Sequence, residues 1–554
     1  MYYAIGSNHM RTRVSHAHMA PLSRITILIA TALGPHKNRS LRKAHLKIQN
    51  PIRKMASVTD FKITLPSGKT VTTPTGLFID NKFIPSESGK TFKTINPVTE
   101  EEICEVHLAS VKDVDVAVAS SRKAFEQHWG MKVSPTERGR LVGKLADLME
   151  RDAGILAELE SLDNGKPVSI AKDGDIADSV ACLRYFAGWA DKLAGQTIPV
   201  PDANTFAFTR HEPIGVCAQI IPWNYPIMMW AWKTAPALAA GCTVIMKPSE
   251  LTPLTALKLC ELIVEAGFPP GVLNCLPSTG PVGGAALAEH MEVDKIAFTG
   301  STITGRKIME ASAKSNLKKV TLELGGKSPN IVFPSADLDK AAEVVSAGIM
   351  SNMGQDCTAG SRAFVHASIY DEFMKKLVAH VESFQKTVGD PTKEETQGGP
   401  LVSEAQRDKV WGYIESGIQE QATVITGGTK WKGKGFYIVP TILGNATKNM
   451  KIFREEIFGP VLAVGKFETE EEAIQMANDT TYGLAAGLQS NDHKQIIRVS
   501  SALKAGTVWI NTFGYLFNQV PFGGFKVSGM GRELGAYAIS EYTAVKAVHW
   551  NFAE

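Results

Sequence analysis

Between residues 214 and 326 the chain returns repeatedly to short, β-branched, apolar runs: IGVCAQIIPW (214–223), CTVIMKP (242–248), GVLNCLP (271–277), KIAFTG (295–300) and KVTLELGG (319–326). Helical patterns lie between several of them. Strands that are apolar throughout, rather than alternately apolar and polar, are buried on both faces, and strands separated by helices pair in parallel. The fold class is therefore α/β, with helices covering both sides of a mostly parallel sheet. AFVHASI (363–369), VLAVGKF (461–467) and GTVWIN (506–511) repeat the pattern and predict a second α/β domain. GLFIDNKFI (77–85) predicts a hairpin turning at Asp80-Asn81, and residues 136–160 carry apolar residues at helical spacing.

Charge and cysteine usage narrow the function classes. With 59 basic and 56 acidic residues the formal charge is +3, which gives no footprint for a nucleic acid, so small molecules are the expected partners. The seven cysteines are odd in number, scattered and free of metal-ligand spacing, which points to a reducing compartment and no metal site. Residues 1–59 contain Arg11, Arg13, Arg24, Lys37, Arg39, Arg42 and further basic residues but no Asp or Glu. This basic leader, taken as residues 1–55, reads equally as a mitochondrial transit peptide or as a mis-called start ahead of Met55. The expected location is intracellular, cytoplasm or mitochondrial matrix. The apolar run 25–34 is half of what a membrane span needs.

Three places carry candidate chemistry. In SNMGQDCTAGSR (351–362) Cys357 stands among small and polar residues, either as a reactive thiol or as one more buried cysteine. In AFTGSTITGRK the strand KIAF runs through Gly300, Ser301, Thr302 and Gly305 into a helix, so backbone amides could face a pyrophosphate, although a tight strand-to-helix turn has the same pattern. Beyond the strand VIMK, Lys247, Ser249 and Glu250 place a carboxylate where it could bond ribose hydroxyls or cap the next helix.

Taken together, PWNYP (222–226), KPSELTP (247–253), FTGSTITG (298–305), LELGGKSPNIVF (322–333), GQDCTAGSR (354–362), EEIFGPV (455–461) and PFGGFKVSGMGRELG (521–535) resemble the aldehyde dehydrogenase superfamily, in order and at its separations, over roughly residues 60–550. The resemblance implies a Rossmann-type dinucleotide-binding domain (56–194 and 214–325), a catalytic domain (326–536) and oligomerisation segments (195–213 and 537–554). It also implies oxidation of an aldehyde to its acid with NAD and water, through a thiohemiacetal and a thioester on Cys357. Asn224 would donate to the oxyanion, Glu323 would activate the hydrolytic water, and Lys233 and Glu533 would relay protons.

By the same resemblance the dinucleotide meets Ile221, Pro222, Trp223, Lys247, Ser249, Glu250, Gly300, Ser301, Thr302, Gly305, Leu324, Glu456 and Phe458. An acid at 250 favours NAD over NADP by repelling a 2′-phosphate. Tyr225, Met229, Trp232, Phe517 and Phe522 would line an apolar tunnel suited to aliphatic and aromatic aldehydes such as acetaldehyde or indole-3-acetaldehyde. Asp356 beside the thiol would disfavour anionic aldehydes if it faces that tunnel. A homodimer or homotetramer is expected, with residues 539–550 pairing as an edge strand across subunits. A CoA-acylating relative, a non-catalytic binding protein of the same fold and a cysteine hydrolase are the competing readings.

Overall fold

A computed structural model of the chain describes residues 60–553, so the basic leader 1–55 lies outside the described residues. Two sheets organise it. The first has eight strands, in the order Gly529–Met530, Lys319–Glu323, Lys295–Thr299, Val216–Ile220, Thr243–Lys247, Leu273–Cys275, Leu77–Ile79 and Lys82–Ile84. The five apolar runs from 214–326 are its central strands, and neighbours among them pair in parallel. Val216–Ile220, Thr243–Lys247, Leu273–Cys275 and Lys295–Thr299 are buried along their whole length, as strands covered on both faces should be.

The strand order of this sheet positions the site. From Val216–Ile220 the chain steps outward through Thr243–Lys247 to Leu273–Cys275, then returns to place Lys295–Thr299 and Lys319–Glu323 on the opposite side. The order thus reverses between Val216–Ile220 and Lys295–Thr299, and open α/β sheets bind ligands in the crevice beyond the carboxyl ends of strands at such a switch. The loops leaving those two ends are Ile221–Asn224 and Gly300–Ser301. The first leads into the helix Pro226–Ala240, which opens on proline, where the missing N–H costs nothing. Every residue of that helix except Met228 is buried, so it crosses the core and cannot shift without opening it.

The second sheet has seven strands, in the order Thr423–Thr426, Thr441–Gly444, Val461–Phe467, Arg362–His366, Pro329–Val332, Ala485–Gln489 and Thr507–Ile510. All neighbours pair in parallel except the first two. The α/β class and the second α/β unit are both present. The hairpin Leu77–Ile79/Lys82–Ile84 turns at Asp80 and Asn81, both at positive φ (52° and 58°), the geometry a two-residue turn of this hand requires.

Three features go beyond these expectations. Residues 136–160 form two helices, Pro135–Arg151 and Ala153–Asn164, because Asp152 leaves the helical conformation (φ −97°, ψ 13°). Apolar spacing continues through the break because both helices pack against the helix Leu254–Ala266. Gly529–Met530, inside the segment expected to belong to the catalytic domain, joins the first sheet beside Lys319–Glu323. The C-terminal strand Thr543–Asn551 pairs along its full length with Thr205–Pro213 of its own chain, in a three-stranded antiparallel sheet where it keeps one open edge. The hairpin segment satisfies one side of this strand, and the open edge is where the expected pairing with a second subunit would fall.

Candidate active site

Cys357 lies on the turn between the short helical turn Ser351–Gly354 and the strand Arg362–His366. The approach to it is strained: Asn352, Met353 and Gly354 are consecutive residues at positive φ (49°, 54° and 65°). Non-glycine residues resist that conformation, and it persists only where surrounding contacts enforce it. Gly354 is required, since a Cβ there would lie 2.1 Å from the Gly459 carbonyl oxygen. The other six cysteines are buried, whereas Cys357 is partly exposed.

Cys357 opens on a cavity of about 330 Å³. Residues from four places converge there: Pro222, Trp223, Asn224 and Tyr225 beyond the first strand end; Gly300 and Ser301 beyond the second; Glu323 and Leu324 beyond the third; and the Cys357 turn from the other sheet. Met229, Trp232, Glu456, Phe458, Phe522 and Glu533 complete most of the wall. Asn224 is 5% exposed and its Nδ2 donates to the Gln355 carbonyl oxygen at 2.9 Å, which ties the asparagine to the thiol's own loop.

Glu323, the last residue of Lys319–Glu323, is 4% exposed, and neither carboxylate oxygen has a hydrogen-bond partner. Burial pushes its carboxyl well above the ordinary range, and the nearby Glu533 pushes it further, against opposing pulls from Lys233 and Arg532. The ion pair with Lys327 that would make Glu323 a structural residue does not form, since the Lys327 Nζ is itself buried without a partner. Burial lowers that ammonium to about 7. Lys233 instead pairs with Glu533. Burial also raises the Cys357 thiol, and the charges acting on it, Asp356 first and then Glu323 and Glu456, are all negative.

Not every residue singled out in the sequence reaches this cavity. Lys233 sits behind it, buried and reaching it through Glu533. Ile221, Lys247, Ser249, Glu250, Thr302 and Gly305 are absent from its wall and lie at or just beyond the carboxyl ends of Val216–Ile220, Thr243–Lys247 and Lys295–Thr299. The Ile221 N–H donates to the Lys247 carbonyl at 3.1 Å, and the Lys247 Nζ, lowered by burial, lies 3.4 Å from a Glu250 oxygen. Ser301 caps the helix Thr302–Lys314 by accepting from the Thr304 N–H, and a Cβ on Gly305 would lie 2.8 Å from Leu324. Thr302 keeps an unpartnered buried hydroxyl beside these residues, and Thr299, which lines the cavity, keeps another.

Phe517 is a correction: it is 60% exposed and outside the cavity wall, where Leu516 stands instead. The loop 511–522 has no periodicity to say which of two adjacent apolar residues turns inward. Phe513 packs against Trp509, with ring centroids 4.8 Å apart. Gln406 and Lys409 were missed; they sit one helical turn apart near the start of Glu404–Gln419, and a surface helix of that composition carries no signal of a site.

Doubly wound strands, a thiol facing a cavity and an unpartnered carboxyl across it define an enzyme of the α/β class, and comparison with known proteins gives the family. The sequence model described as "Aldehyde dehydrogenase family" matches residues 83–548. An aldehyde dehydrogenase of Aspergillus niger is 54% identical, covering 89% of this chain and 98% of that protein. Aldehyde dehydrogenase 1A1 of Gallus gallus is 52% identical over 86% of this chain and 93% of its own length. The NAD+ complex of a Bacillus cereus aldehyde dehydrogenase superposes with a TM-score of 0.84 at 48% identity, covering 86% of this chain and 96% of that one. The chain belongs to the aldehyde dehydrogenase family. It is an oxidoreductase acting on aldehydes, with NAD or NADP as the electron acceptor of the family.

The close packing around the thiol gives a first prediction. A Cβ on Gly326 would lie 2.1 Å from the Cys357 carbonyl oxygen, a backbone atom that cannot turn aside. Gly326→Ala is expected to lower kcat by about 10²-fold, the cost of displacing a reacting group by roughly an ångström. Steady-state rates alongside a thermal melt check this, and an unchanged kcat would show that the Cys357 turn tolerates displacement.

Proposed function

We propose that the protein oxidises uncharged aliphatic and aromatic aldehydes to their acids, with NAD preferred, through a covalent thiohemiacetal and thioester on Cys357. The observation that carries this reading is the convergence on one cavity of a partly exposed thiol, a buried amide donor and a buried carboxyl without partners. The thiolate of Cys357 attacks the carbonyl carbon, and the developing oxyanion takes hydrogen bonds from the Asn224 side-chain amide and the Cys357 N–H. Such donors act without reorganising and are typically worth about 10²–10³ in rate each. When bound, the nicotinamide dinucleotide supplies the two-electron acceptor that converts the thiohemiacetal into the thioester. Glu323 then takes the proton of the water that cleaves the thioester, and Lys233 with Glu533 carries it away.

The residues at the strand ends fit such a dinucleotide. Thr299 and Thr302 hold unpartnered buried hydroxyls there, and the Glu250 carboxylate is accessible beside Lys247. Ile221, Pro222, Trp223, Lys247, Ser249, Glu250, Gly300, Ser301, Thr302, Gly305 and Leu324 would hold the adenosine and pyrophosphate portion; Glu456 and Phe458, which line the cavity, would hold the nicotinamide end. Glu456 already fixes the loop under it by accepting from the Gly326 N–H at 2.9 Å. The tunnel reading rests on Tyr225, Met229, Trp232 and Phe522, joined by Leu516 in place of Phe517. In the same reading 56–194 with 214–325 forms the cofactor domain, 326–536 the catalytic domain, and 195–213 with 537–554 the contacts of a homodimer or homotetramer.

NADH absorbance with acetaldehyde, hexanal, benzaldehyde and indole-3-acetaldehyde tests the reading, each aldehyde being offered with NAD and with NADP. Faster reduction of NAD is expected, and Glu250→Ala should narrow the preference by about tenfold by removing the repulsion of a 2′-phosphate. Equal use of both dinucleotides by the unaltered protein would overturn the preference. Acyl-CoA formation on adding CoA would replace hydrolysis with acyl transfer.

A further inference from the structure

The carboxylate of Asp356 lines the same cavity as the thiol it adjoins, and it is the first of the negative charges that oppose thiolate formation. Both of its oxygens are engaged. Oδ2 accepts from the Tyr225 hydroxyl at 3.0 Å, and Oδ1 accepts from the Thr358 N–H and the Thr358 hydroxyl, each at 2.7 Å. The bonds to Thr358 close an Asx-type turn across Cys357, fixing the backbone on either side of the thiol. The bond to Tyr225 ties that turn to the residue following Asn224. The ring of Tyr225 is held in turn: the Lys166 Nζ lies 3.9 Å from its centroid and is paired with buried Asp175.

A second tie runs parallel to the first. The Asn224 Nδ2 donates to the Gln355 carbonyl, and the Asn352 Nδ2 donates to the carbonyls of Asn224 and Gln355 at 3.0 and 3.1 Å. The Cys357 turn follows three residues in the left-handed region, so it needs anchors on both sides to keep one geometry.

We propose that Tyr225 and Asp356 are positioning residues, a hydrogen-bonded clamp that holds the Cys357 turn at a fixed distance from Asn224 and, by engaging both Asp356 oxygens, limits how strongly that charge opposes the thiolate. The inference rests on the reading of Cys357 as the nucleophile. Tyr225 acts through Asp356 on two quantities at once, the geometry of the turn and the acidity of the thiol. The other charged groups bearing on the thiol are Glu323, at the end of its strand, and Glu456, in the loop before Val461–Phe467; neither is hydrogen-bonded to Tyr225 or Asp356.

The two quantities separate in a set of three variants of the full chain. Tyr225→Phe keeps the ring but frees one carboxylate oxygen, Asp356→Asn keeps an acceptor for Thr358 but removes the charge, and Asp356→Ala removes both. The rate of Cys357 alkylation by iodoacetamide, followed peptide by peptide against pH, reads the thiol; kcat and the KM values read the geometry. Tyr225→Phe is expected to raise the apparent thiol pKa by about one unit and to lower kcat at neutral pH by about tenfold, with KM for NAD unchanged. Asp356→Asn and Asp356→Ala should both lower the thiol pKa, while Asp356→Ala should lose more kcat than Asp356→Asn, by about tenfold or more.

A merely structural role would not move the thiol in opposite directions. Alkylation profiles identical to the unaltered protein, or equal kcat for Asp356→Asn and Asp356→Ala, would overturn the clamp with Cys357 still the nucleophile. Full turnover after complete alkylation of Cys357 in the unaltered protein would overturn the clamp and the nucleophile assignment together.

Discussion

Cys357→Ala is expected to lose aldehyde oxidation by a factor of at least about 10⁴, the scale on which removal of a covalent nucleophile is felt, while dinucleotide binding stays within a few-fold. No other thiol can take over, because the remaining six cysteines are buried. Alanine keeps the residue-357 N–H and fits the turn, so the Asn224 and Asp356 contacts to this loop, which involve the Gln355 carbonyl and Thr358, survive. The strand-end crevice that would hold the adenosine lies on other segments, around Ile221, Glu250 and Ser301. Steady-state NADH formation and a fluorescence titration with NAD check the two halves separately. A variant retaining more than a few per cent of turnover would remove Cys357 from the chemistry. Loss of binding together with turnover would instead show that the thiol supports the fold.

How far the sequence led depended on which residues carry their own signal. The five runs from 214–326 announce a buried parallel sheet because a strand covered on both faces has no polar positions to interrupt it. Glu323 stands out because one acid in an apolar and glycine-rich run is costly unless it has a task, whereas Asn224 was legible only through the family resemblance that PWNYP carries. Loops offer no such rule: Leu516 and Phe517 differ in position by one residue, and only the fold says which one faces the cavity. The same holds for the clamp. Asp356 was legible as an unusual neighbour of the thiol, but its orientation is decided by Tyr225, which is 131 residues away in the chain. The self-pairing of Thr543–Asn551 was hidden for a similar reason, its partner lying in a hairpin more than 300 residues earlier.

Glu323→Gln is expected to leave the first turnover nearly intact and to slow every later one. In the proposed sequence the carboxylate is needed only when water attacks the thioester, so NADH should appear as a burst of about one equivalent per site, followed by a steady rate lower by roughly 10²–10⁴, the worth of a general base. The pH dependence has a definite sign. Burial and Glu533 hold the Glu323 carboxyl well above the usual range, so the basic form is scarce at low pH and grows as pH rises through that elevated range. The hydrolytic step of the unaltered protein should therefore accelerate with pH and level off, and the variant should lose that rise. Stability separates this from a structural role. Both carboxylate oxygens of Glu323 lack partners, so glutamine removes a costly buried acid without breaking a bond, and the melting temperature should hold or rise. A variant with no burst and an unchanged steady rate would place the base elsewhere. One that melts earlier and loses the burst along with the steady rate would mean that the carboxyl holds the cavity together rather than activating water in it.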